Sequence, residues 1–175
     1  MKARAVMAGL VTACVGVACA PTLNWREVRP EASGLVALFP CKPSGNARRL
    51  NLVGESVEMT LYTCSAAGAT YAIAFADVGQ PHLVGQALED LALAAARNIG
   101  AGVEHSTTPL RVQGMTPNAR ARRSTFAGQL SDGRPVQEQV AVFSYGLRVF
   151  QATVIGERLD ADAVEMFFGA LRLPT

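Results

Sequence analysis

Between residues 57 and 64 the chain alternates without a break: Val57, Met59, Leu61 and Thr63 fall on one side, Glu58, Thr60, Tyr62 and Cys64 on the other. A period of two marks a β-strand with one face against a core. The pattern then repeats. Residues Ser65 to Thr70, with Gly68, have hairpin-turn composition, and beyond them Tyr71, Ile73 and Phe75 alternate with Ala72, Ala74 and Ala76. Large side chains fill one face of that second strand, while the alanine face leaves room for a helix to approach.

Earlier in the chain, Leu35-Val36-Ala37-Leu38-Phe39 is a short apolar run stopped by Pro40, consistent with a buried strand. Trp25-Arg26-Glu27-Val28 reads as a first edge strand, with Trp25 a plug at the rim of the core. Leu88, Leu91, Ala92, Ala95 and Ile99 follow helical spacing, Glu89, Asp90 and Arg97 fall on the opposite face, and Gly100 supplies a stop. Four strands are predicted next, at about 108–114, 119–130, 135–144 and 147–155, with Ser131-Asp132-Gly133 and Ser144-Tyr145-Gly146 as turns. Asp160 has N-cap chemistry, and Val164, Phe167, Phe168 and Leu171 give a closing helix its apolar stripe. The predicted order is ββ(β)-α-ββββ-α, with helices at about 84–99 and 161–172. This is the α+β class: a single domain with an antiparallel sheet of about six or seven strands and two packed helices.

The first residues have a different character. Lys2 and Arg4 precede an uncharged stretch from Ala5 to Ala20, which has the charged start and apolar middle of a secretory signal. The run is short for a membrane span, poor in large side chains, and closed by Pro21. Val15-Gly16-Val17-Ala18-Cys19 resembles the lipobox of bacterial lipoproteins. Cys14, after Leu10-Val11-Thr12-Ala13, is a rival that leaves a shorter apolar stretch, and a leader discarded whole, cysteines included, is the plainer alternative. The resemblance implies a diacylated Cys19, cleavage before it, and attachment to a membrane through several acyl chains. Ala20 stands where an aspartate would signal inner-membrane retention in enteric bacteria, so the outer membrane is favoured. The expected organisation is a signal at 1–18, a tether at 19–33 and one domain at 34–175, on the periplasmic side of the envelope.

Loss of the leader removes two of the 16 Lys and Arg and none of the 14 Asp and Glu. The mature chain is then near neutral, which gives no support to nucleic-acid binding. If Cys14 leaves with the leader and Cys19 carries lipid, Cys41 and Cys64 remain in an oxidising compartment, where a disulfide is the expected outcome and two buried thiols the alternative.

A second resemblance covers about residues 35 to 173. Leu38-Phe39-Pro40-Cys41-Lys42-Pro43, Tyr145-Gly146-Leu147-Arg148-Val149-Phe150-Gln151 and Phe167-Phe168-Gly169-Ala170-Leu171-Arg172-Leu173 are similar to PsbP-like or DcrB-like periplasmic domains. It implies a fold and little about activity, since such domains serve varied accessory and binding roles.

Chemistry is sparse in the sequence. His82 and His105 lack partners at metal-ligand spacing, Ser144 precedes a turn without the G-x-S-x-G context of a nucleophile, and no phosphate-cradling glycine loop occurs. No metal or cofactor is expected. Arg111, Arg120, Arg122 and Arg123 are the one concentration of charge. On a strand Arg120 and Arg122 share a face and Arg123 points away, which suits either a solvated or edge strand or a face that binds anionic lipid or an acidic partner. The expectation is a non-catalytic binding or accessory module of the envelope, whose partner is an envelope protein or anionic lipid. An enzyme of unrecognised type and a structural partner in an envelope complex are the alternatives.

Overall fold

The computed structural model describes residues 23–101 and 105–175. Both leader cysteines, Cys14 and Cys19, lie outside the described residues. Nine strands and two helices follow in order: β1 (Arg26–Val28), β2 (Ala37–Phe39), β3 (Ser44–Leu52), β4 (Glu55–Ala66), β5 (Ala69–Asp77), α1 (Leu83–Asn98), β6 (Ser106–Pro109), β7 (Arg122–Gln129), β8 (Pro135–Tyr145), β9 (Arg148–Gly156) and α2 (Ala161–Gly169). The α+β class and the succession of strands, helix, four strands and helix agree with the sequence reading. Five strands precede α1 where the predicted order has two or three, and β3 is the one with no counterpart in that reading. Strands β1 and β2 form a two-stranded sheet. The other seven form one antiparallel sheet in the order β3-β4-β5-β9-β8-β7-β6.

Alternation along the central strands splits the core into two layers. Tyr71, Ile73 and Phe75 of β5 lie with Phe143, Phe150 and Val154 under α2 and the β1–β2 sheet. Phe167 of α2 meets Phe39 edge-on at 5.5 Å and Tyr71 at 5.4 Å. Trp25 closes the rim of this layer against Tyr71, at 6.3 Å between ring centroids. Ala74 and Ala76, on the opposite face, lie in the layer covered by α1 through Ala87, Leu88, Leu91, Ala92 and Ala95. Their small side chains let the helix settle close to the sheet. The segment expected as tether contributes β1, whose register on β2 runs from Arg26↔Phe39 to Val28↔Ala37.

Several boundaries differ from the sequence reading. The strand expected at about 119–130 begins at Arg122, so Arg120 lies before it. The strand expected at 108–114 is found at Ser106–Pro109, because Pro109 has no N–H to continue a ladder and Val112 turns inward instead. Helix α2 ends at Gly169 rather than 172, and Arg172 leaves it to bridge Val36 and Gln113. Among the described residues, no helix is long and apolar enough to cross a membrane.

Candidate functional site

A cleft of about 720 Å³ opens between α1 and the β3 side of the sheet. Its existence follows from side-chain size. Ala72 and Ala74 on the floor and Ala94 on the helix leave space that larger residues would fill, while Leu50 and Leu52 of β3 form the far wall. The volume lies within the range of small-molecule sites.

The floor carries an unusual group. Glu138 stands in β8 at the phase of Val136, Val140 and Val142, so the strand's own alternation turns its carboxyl toward the apolar layer under α1. The residue is 5% exposed, and its Oε2 has no hydrogen-bond partner among the described residues. Burial disfavours the charged form and pushes the carboxyl up to about 7. Beside it on the floor, Gln151 donates its amide to Thr153 Oγ1 at 3.1 Å. The charged residues of the cleft are Arg48 from β3 and Asp90 and Arg97 from α1. Asp90 accepts from Gln86 at 2.8 Å, and Arg97 donates to the Leu93 carbonyl at 3.2 Å. A buried carboxyl near half-ionisation at neutral pH can donate a hydrogen bond, accept one, or accept a cation.

Cys41 and Cys64 form a disulfide with their Cα atoms 5.9 Å apart. It joins the chain just after β2 to β4, on the α2 side of the sheet. The arginines divide. Arg120 and Arg122 both reach Glu89 on α1, at 3.2 and 3.1 Å. Arg123 goes to the other face, where it holds Gln139 and Glu165 and lies 4.3 Å from the Phe168 ring centroid. Arg111 is exposed beyond β6 and takes part in none of these pairs. Three of the four guanidiniums are therefore engaged with the domain's own carboxylates, on two faces.

His82 occupies the N-cap position of α1 without a side-chain cap bond, and His105 bonds through its backbone to Thr125. No group of three or more possible metal ligands occurs among the described residues. Ser144, expected in a turn, lies one residue inside β8, fully buried, with no partner for its hydroxyl among the described residues. The sequence reading missed Glu138, Gln151 and Thr153. The signal for the first was present: a single carboxylate at an apolar phase of Val136-Gln137-Glu138-Gln139-Val140-Ala141-Val142.

No family model matches the sequence, and no curated protein is similar enough to count as a match.

Proposed function

We propose that this chain is a lipoprotein of the bacterial envelope, tethered through Cys19 with the outer membrane favoured, whose domain serves as a non-catalytic binding module. The observation that carries the binding reading is the cleft beside α1, with a buried carboxyl on its floor whose Oε2 has no donor among the described residues. A buried polar group left unpaired costs free energy, and a ligand that pairs with it recovers that cost. The Cys41–Cys64 disulfide supports an oxidising address, as does the lipobox-like leader.

Catalysis is the second reading. In its favour stands the same carboxyl, which sits in a cleft and titrates near neutrality, as a general acid or base would. The binding reading ranks first because the floor offers hydrogen-bonding side chains, Gln151 and Thr153, as Glu138's companions.

Metabolic labelling with palmitate in a bacterial host tests the anchor. Cys19→Ser is expected to abolish labelling and release the protein from the membrane fraction, whereas Cys14→Ser retains both. Label persisting on the Cys19 variant would move the anchor elsewhere.

A further inference from the structure

We propose that the cleft between α1 and the sheet takes a small organic amine with an apolar body, its ammonium seated on the Glu138 carboxylate. The inference rests on the binding reading above and names its ligand class.

Glu138 lines the cleft, and no described residue donates a hydrogen bond to its buried Oε2. Gln151 gives its amide to Thr153. An ammonium brings several N–H donors and the opposite charge to a carboxyl only 5% exposed, where a charge-assisted bond is stronger than in bulk water. The apolar body meets Met59, Leu61 and Leu50 along the same cleft.

The other charged residues lining it are Arg48 from β3 and Asp90 and Arg97 from α1; β4, β5 and β9 contribute none among the described lining residues. Both arginines are exposed at the rim. Solvent and salt screen their repulsion of a cation far more than they screen a contact on the floor. An anionic ligand could pair with these arginines without entering the cleft, and it would meet Glu138 favourably only while that carboxyl is protonated.

The ammonium form pairs only with the ionised carboxylate, so binding releases a proton. With Glu138 titrating at about 7, the carboxylate is roughly one-tenth populated at pH 6 and nine-tenths at pH 8. Alkylamines stay protonated throughout that range.

Titration calorimetry of the purified protein with hexylamine, 1-hexanol and hexanoate tests this. Hexylamine is expected to bind most tightly, about tenfold more tightly at pH 8 than at pH 6. Glu138→Gln, which keeps the side chain's size, is expected to abolish that pH dependence and weaken hexylamine at pH 8 by tenfold or more. Ala94→Phe, on the exposed helix wall, is expected to block the cleft and lose hexylamine altogether. Hexanol or hexanoate binding as tightly as hexylamine, yet lost in the Ala94 variant, overturns the amine and leaves the binding cleft standing. Hexylamine binding that is unchanged in the Glu138 variant does the same to the carboxylate contact. No heat from any of the three probes removes both the amine and the cleft reading.

Discussion

Glu138 stands where the alternation of β8 asks for an apolar side chain, and its cost is measurable without knowing any ligand. The carboxyl titrates near 4.5 when solvated and at about 7 in the fold. The folded state therefore holds its proton more tightly than the unfolded one. Burial of this carboxyl adds no ionisation cost below about pH 4.5, where it is protonated in both states; the penalty grows as pH rises between those two values and is complete above about 7. A shift of that size corresponds to on the order of 3 kcal/mol. Urea unfolding of Glu138→Gln against the parent should show little difference near pH 4.5 and a more stable variant at pH 8. Exposed carboxylates such as Glu27 and Asp132, which their arginines hold low, titrate in both proteins and cancel in the comparison. Parallel stability curves at both pH values would sink the burial argument. The placement was legible in the sequence, because a lone Glu among Val136, Val140 and Val142 breaks the strand's pattern. Its lack of a donor was not, since that depends on which residues of β9 and α1 come to lie over it.

Helices are held at their ends by different means, and each means predicts its own sensitivity. The C-terminal end of α1 rests on β7, where Gln129 N–H donates to the Ile99 carbonyl at 2.7 Å. A Cβ on Gly128 would come within 2.0 Å of that carbonyl oxygen. Gly128→Ala must lift the helix end or bend the strand, at a cost of about 1–3 kcal/mol in chemical denaturation. A loss near zero would mean that the helix end is not seated there. At the start of α2, Asp160 accepts from Ala163 N–H at 2.8 Å, as its N-cap chemistry predicts. Asp160→Ala should cost about 1 kcal/mol, whereas His82→Ala, at a cap position with no side-chain bond, should stay within roughly 0.5 kcal/mol. Both helices and the central strands were legible because each buries one periodic face. Strand β3 was not, because it is a sheet edge and is exposed from Ser44 through Arg49. Its only sequence trace was the turn at Val53-Gly54, where both residues take positive φ and Asn51 accepts from Gly54 N–H.

The described residues form two layers on the seven-stranded sheet, and the two act at a distance from each other. Alternation announced both layers, but not strand order. Strand β5 pairs with β9 across a long excursion through α1, β6, β7 and β8, and no local period encodes that neighbour. The cleft is a product of the order, since it needs β3 outside β4 and α1 over the opposite half of the sheet, so the site's position was hidden even where its residues were readable. The disulfide belongs to the other layer: it ties the β1–β2 side to β4 beneath α2, whereas Met59 and Leu61 of β4 face α1. Closing a loop of 23 residues' separation restricts the unfolded chain and contributes roughly 3 kcal/mol. Reduction, or the double substitution Cys41→Ala with Cys64→Ala, should therefore lower the melting temperature by several degrees. Because the bridge and the cleft lie on opposite faces, hexylamine binding measured well below that temperature should survive the loss. Unchanged melting would deny the bridge its stabilising part. Binding lost together with the bridge would mean that the faces are coupled through β4, whose alternate residues serve both.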